Sequence, residues 1–216
     1  MTRAPSPFGE RRRRVTALYD RHPHAAELLV LYGAVLDSQE PVYAWVLGAG
    51  WRAQVRSTTS EAPALELTEL PWAKLESHFR RFVNDLRPHG TEEITAAGAV
   101  IIGSSSEQRR QILQQTGTRG DLSDLASGAG LDEALLAFYG RAFLQTVVEA
   151  LASELPENVD ISDPGACPHC GWPPQVAILR DEAELKSRRL LVCSLCATLW
   201  PAPRLGCPSC GETEST

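Results

Sequence analysis

Three C-x-x-C pairs crowd the last quarter of this chain: CPHCG at Cys167 and Cys170, LVCSLC at Cys193 and Cys196, and LGCPSCG at Cys207 and Cys210. They hold all six cysteines of the sequence. A C-x-x-C pair bends into a tight turn that offers two sulfurs to one cation, and two such turns close a tetrahedral four-sulfur site. Pro168 and Pro208 preset the turns, and the glycines after Cys170 and Cys210 supply the positive φ such a turn needs. Between the first two pairs lie VAIL and RRLLV, short and β-friendly, separated by the polar RDEAELKS. This reads as a β-hairpin with a knuckle at each end, a rubredoxin- or zinc-ribbon-like module. Cys167, Cys170, Cys193 and Cys196 are therefore expected to form one metal site. Four protein thiolates suit zinc and a single iron equally and leave no open coordination position for hydrolysis. His169, inside the first knuckle, is expected to be an exposed loop side chain.

Cys207 and Cys210 are then in surplus, and the chain has no further cysteines to complete a second site. Three outcomes stand open: a partner beyond a truncated C-terminus, a counterpart across a homodimer, or a free dithiol able to cycle. Pairing of the third knuckle with the first also satisfies the count.

Upstream the pattern is helical. Residues 1–14, rich in Arg, Pro and Ser, read as a disordered arm. HPHAAELLVLYGAVLDSQ and PVYAWVLG read as two helices, each opened by a proline, and residues 52–69 as loop. Leu75, Phe79, Phe82, Val83 and Leu86 share one face of an amphipathic helix that Pro88 and Gly90 stop. Thr91 and Ser106 are expected N-caps of the next two helices. In the last helix Leu135, Leu136, Tyr139, Phe143, Val147 and Leu151 form one stripe. The expected fold is mainly α: an all-helical domain over 15–155, a linker at 156–166, and a β-rich metal-binding module over 167–216.

A formal net charge of −6 argues against a general nucleic-acid binder. No uninterrupted apolar run is long enough to suggest a membrane span. Arg11–Arg14 are not followed by an apolar segment, so neither a secretory nor a twin-arginine signal is expected, and the expected location is cytoplasmic. There is no P-loop, dinucleotide fingerprint or H-E-x-x-H motif, and Ser104–Ser106 read as a helix-capping loop, so no enzyme is expected.

The cysteine region resembles the formate dehydrogenase accessory protein family, FdhE. Cys167, Pro168, Cys170, Gly171 and Pro174 match its first element; Arg189, Leu191, Cys193, Leu195 and Cys196 match its second. Thr198, Trp200, Arg204, Cys207 and Cys210 match its third. Leu190 stands where an aromatic is usual, Leu199 stands where Glu is usual, and the family's fourth C-x-x-C is absent. Over the helices the likeness is general: a His-Pro opening and Gln39 at the end of the first helix. The resemblance implies a cytoplasmic, non-catalytic accessory factor with iron in a four-cysteine site, zinc being the alternative metal. It would bind the catalytic subunit of formate dehydrogenase and be needed for that enzyme's assembly or activation.

Two other classes compete with this reading. A rubredoxin-like redox protein would use a lone iron, with the surplus dithiol taking part, but the thioredoxin-like βαβ context is missing. A nucleic-acid-binding zinc ribbon would place Arg188, Arg189 and Arg204 on phosphates, yet the module is roughly charge-balanced.

Overall fold

In a computed structural model, which describes residues 6–51, 62–156, 163, 165–181 and 188–212, the order of elements is seven α-helices followed by three strands. The chain divides into two compact units, Met1–Ala49 with Leu70–Val147, and Gly50–Glu69 with Val148–Thr216. The first holds α1 (Phe8–Tyr19), α2 (Ala26–Gly48), α3 (Trp72–Leu86), α4 (Glu92–Gly103), α5 (Ser106–Thr118), α6 (Ser123–Ala129) and most of α7 (Glu133–Ala152).

α3 forms because its five large apolar residues recur at helical spacing, and all five are buried. Full burial of one such side chain contributes roughly 1.5–3 kcal/mol, so this stripe alone anchors the helix to its neighbours. α7 buries Leu136, Tyr139, Phe143, Val147 and Leu151 of its expected stripe, while Leu135 is only partly covered. Phe143 meets Phe79 and Phe82 with ring centroids 5.4 and 5.7 Å apart. α7 is long and apolar enough to cross a membrane by length and composition, with a mean hydropathy of 1.2 over its best window. Yet 61% of that window is buried inside the protein, the pattern of a core helix.

Several expectations are corrected here. Residues 8–14 are not a disordered arm: α1 begins at Phe8, which is fully buried and packs edge-on against Tyr43. Arg12 is tied to Asp37 and Glu40 at 2.8 Å each. The arginines hid the helix because a single apolar anchor leaves little periodic signal. The two expected helices before residue 50 are one continuous α2, with Pro41 inside it. Pro41 lies on the exposed side, where a missing N–H costs least, and the buried residues Leu36, Gln39, Val42, Tyr43 and Val46 run past it. Gln39 therefore does not end a helix. It is buried, and its Nε2 donates to the Ala142 carbonyl at 2.7 Å.

Thr91 caps α4, accepting from the Ile94 N–H. The cap of α5 is Ser105, one residue before the expected Ser106, in a reciprocal capping box with Gln108. α6 escaped notice because seven residues of SDLASGA carry little periodicity. Between α3 and α5 sits a buried ion pair, Arg109 Nε to Glu76 Oε1 at 2.5 Å, and Arg109 also donates to the carbonyls of Ile102 and Ser104.

The second unit holds an antiparallel sheet of β1 (Pro174–Arg180), β2 (Arg188–Cys193) and β3 (Leu199–Pro201), in that order. Ile178 opposes Leu190, and Leu191 opposes both Ala177 and Trp200. β3 was not expected. Residues 50–69, assigned by sequence to the helical domain, group with this unit instead. Of that expected loop residues 52–61 lie outside the described residues, as do 157–162 and 164 of the expected linker and 182–187 of the hairpin turn.

Candidate metal centre

The first knuckle is closed by backbone hydrogen bonds: the Cys167 N–H donates to the Trp172 carbonyl and the Gly171 N–H to the Cys167 carbonyl, both at 2.8 Å. Gly171 takes φ 74°, a conformation that costs most side chains about 1–2 kcal/mol. In the second knuckle the Cys193 N–H donates to the Thr198 carbonyl at 2.9 Å, and the left-handed position falls on Ala197, φ 58°. Ser194 ties this knuckle to the end of the first, donating to the Pro173 carbonyl from its N–H at 3.1 Å and from its hydroxyl at 2.8 Å.

These turns bring the sulfurs of Cys167, Cys170, Cys193 and Cys196 together, all within 4.8 Å of one another and all buried. Cys167 and Cys196 lie 3.5 Å apart, Cys170 and Cys193 3.4 Å, and Cys170 and Cys196 3.5 Å. Tetrahedral ligation with metal–sulfur bonds of about 2.3 Å sets sulfurs about 3.8 Å apart, so the cluster fits a single ion with little adjustment. Among the described residues this is the only group of three or more His, Cys, Asp or Glu donors so placed. The four cysteines that the sequence singles out for one site are the four that the fold unites. Pairing of the third knuckle with the first does not occur.

The sulfurs are not electrically equivalent. Hydrogen bonds with the thiols of Cys167, Cys170 and Cys196, together with a backbone N–H of Cys196, pull the Cys193 thiol far below its ordinary range. Its Sγ accepts from the N–H groups of Leu195 at 3.3 Å and Cys196 at 3.4 Å. Sharing with Cys167, Cys193 and Cys196 pushes the Cys170 thiol up instead. Four buried sulfurs cannot all carry charge without a cation among them. A divalent or trivalent ion bound by all four supplies that charge and is closed to water.

His169 is not an exposed loop side chain; it is 5% exposed. Its Nδ1 lies 3.0 Å from Thr198 Oγ1, which is in turn 3.0 Å from Cys196 Sγ. Burial lowers the His169 pKa, against a hydrogen bond to the Pro156 carbonyl and the charge on Cys193. Residues that sequence reading passed over also hold the knuckle. The N–H groups of Ala64 and Leu65 donate to the carbonyls of Pro168 at 3.2 Å and His169 at 2.8 Å. Trp172, Leu190, Leu191, Leu195 and Trp200, on the turns and strands that carry the knuckles, are also buried.

Cys207 and Cys210 stand apart, and both are exposed. Backbone N–H groups of Cys210 and Ser209, then the Cys210 thiol, hold the Cys207 thiol below its ordinary range, and Arg189 adds to this.

A set of α-helices followed by a small antiparallel sheet whose knuckles gather four buried cysteines defines the class: a mainly helical protein bearing a rubredoxin- or zinc-ribbon-like cysteine module. The family model "FdhE, central domain" matches residues 166–204, which covers the four-cysteine site and ends before the third knuckle. The FdhE homolog of Aquifex aeolicus is 23% identical over 207 residues, covering 93% of this chain and 69% of that protein. The homolog of Stutzerimonas stutzeri is 38% identical over 85 residues, 39% of this chain and 28% of that protein. The crystal structure of the FdhE protein from Pseudomonas aeruginosa matches with a TM-score of 0.64 and 22% identity, over 98% of this chain and 72% of that one. The chain is thus similar to FdhE proteins, most specifically over the cysteine region and at lower identity over most of its length.

Proposed function

We propose that this chain is a cytoplasmic, non-catalytic accessory factor that binds the catalytic subunit of formate dehydrogenase and serves its assembly or activation. Cys167, Cys170, Cys193 and Cys196 hold one iron, with zinc as the alternative ion. Cys207 and Cys210, exposed and apart from the buried four, are further thiolate ligands. Similarity to the FdhE homologs supports the client, and the resemblance of the cysteine region supports iron.

The observation that carries the reading is the closed, buried four-sulfur cluster. An ion there has every position filled by protein, which suits a structural or electron-holding centre and not hydrolysis. Such an ion can contribute on the order of 10 kcal/mol to folding of the module around it. The test uses protein purified without air. Metal analysis and an absorption spectrum identify the ion, a red iron–thiolate spectrum meaning iron. A pull-down then presents the protein to formate dehydrogenase catalytic subunits. Capture that is lost in Cys167→Ser/Cys193→Ser supports the reading, and no capture by the metal-loaded protein removes it. Reversible bleaching coupled to electron transfer to an acceptor protein, without capture, favours a rubredoxin-like carrier.

A further inference from the structure

The arginine run Arg11–Arg14 plays no part in the cysteine site, and α1 distributes its four side chains round the helix. Arg12 is tied to Asp37 and Glu40 of α2. Arg13 is exposed. Arg11 and Arg14 share another side of α1 with Glu10, Val15 and Leu18, at the i, i+3 and i+4 spacing that lines up one helix face. Together with Tyr32 of α2 they line a groove of about 390 Å³ that lies wholly within the helical unit.

The chemistry of this groove is two-sided. Val15 and Leu18 are half-buried, and Tyr32 is 42% exposed. Leu28, one turn before Tyr32 on α2, is 67% exposed and extends the apolar surface. Grouped, exposed apolar side chains rimmed by polar ones mark interaction surfaces. Arg11 and Arg14 add two positive charges within one turn, in a protein whose formal net charge is −6. Arg14 is exposed, and among the described residues no carboxylate pairs with it.

Shape and sign together define the occupant. From Glu10 to Leu18 the lining of α1 runs about 12 Å, two turns of helix. A second helix lies in such a groove by an apolar stripe at i, i+3, i+4 and i+7. Acidic residues along the flank beside Arg11 and Arg14 complete the match of charge. An anionic membrane surface fits less well. It is flat where the groove is concave, it meets the Glu10 carboxylate in the same lining, and it repels the net negative charge of the chain. We infer that this groove docks an amphipathic helix of a partner protein, its apolar stripe on Val15, Leu18 and Tyr32 and its acidic flank against Arg11 and Arg14. Neither a metal ion nor the cysteine module takes part in this contact.

The test is a display library of amphipathic helices, with a fixed leucine stripe and flanks randomised among Glu, Gln and Lys, selected against the full chain. Enriched peptides are expected to carry Glu along one flank. A synthetic copy of one is expected to lose about tenfold or more in affinity for Arg14→Glu and for Tyr32→Ala, and to bind Arg13→Glu like wild type. Far-UV circular dichroism shows that each variant is folded. Should Arg14→Glu fail to fold, Arg11→Gln/Arg14→Gln removes the charge without reversing it and is expected to weaken binding in the same direction. No acidic enrichment, or equal losses in Arg13→Glu and Arg14→Glu, overturns the proposal. Binding to phosphatidylglycerol vesicles that Arg14→Glu abolishes also overturns it and makes the groove a membrane contact. A wild-type dimer that Arg14→Glu alone dissolves overturns it too and gives the groove to a second copy.

Discussion

Thr198 Oγ1 stands between His169 Nδ1 and Cys196 Sγ, 3.0 Å from each, so a ring from the first knuckle reaches a sulfur of the second through one hydroxyl. When Cys196 binds a cation as thiolate, the hydroxyl donates to that sulfur and His169 orients the hydroxyl. Outer hydrogen bonds of this kind typically change metal affinity 10- to 100-fold. Thr198→Val is expected to weaken metal retention about tenfold or more. Thr198→Ser, which keeps the hydroxyl, is expected to retain it. Competition with a chromogenic chelator reads the difference, and equal retention in Val and Ser variants counts against this role.

Ala197 occupies the position that glycine holds in the other two knuckles, at φ 58°. Ala197→Gly removes a left-handed penalty of about 1 kcal/mol, less the extra entropy glycine brings to the unfolded chain. The variant is expected to melt at the same temperature or slightly higher with metal bound, whereas Ala197→Val melts lower. Differential scanning calorimetry checks the order of the three.

Glu76 and Arg109 are a buried pair in the helical unit, with side chains 12% and 7% exposed. Glu76→Ala leaves the guanidinium without its carboxylate. The expected loss is about 3–5 kcal/mol, read by denaturant unfolding. Replacing both residues with apolar side chains of similar size is expected to recover a substantial part of it.

His78 lies flat against Trp45, with ring centroids 3.4 Å apart. Burial and then the nearby Arg81 lower its pKa below 6.5. The folded state therefore binds the proton less readily than the unfolded chain. Stability tied to this group is full above pH 6.5 and falls as the pH drops from there toward the depressed folded value. His78→Phe, which keeps the stacking and cannot titrate, is expected to lose less melting temperature than wild type between pH 7.5 and pH 5.5. Parallel losses in the two proteins would show that His78 does not contribute.

The buried site was legible because knuckle chemistry is local: four residues of C-x-x-C, a proline and a glycine state both the turn and its purpose. α3 and α7 were legible because their apolar residues recur at helical spacing. What escaped depends on distant partners. Nothing near His169 announces Thr198, 29 residues on, so its burial could not be read. Phe8 was masked by the arginines after it, and only its contact with Tyr43 explains why a helix starts there. Pro41 looked like a helix start because local preference cannot see the buried face that carries α2 through it. Ala64 and Leu65 showed no pattern because their role is carried by backbone N–H groups, which every residue but proline has.

That last contact sets an order of events at the ribosome. Ala64 and Leu65 emerge long before the carbonyls of Pro168 and His169 exist to receive them. The early segment must stay available while the intervening helices are made. Severing the cysteine module as a short peptide would strip the rim of its first knuckle of these donors. A minimal fragment chosen from the cysteine spacing alone is thus expected to release its ion faster than the whole chain.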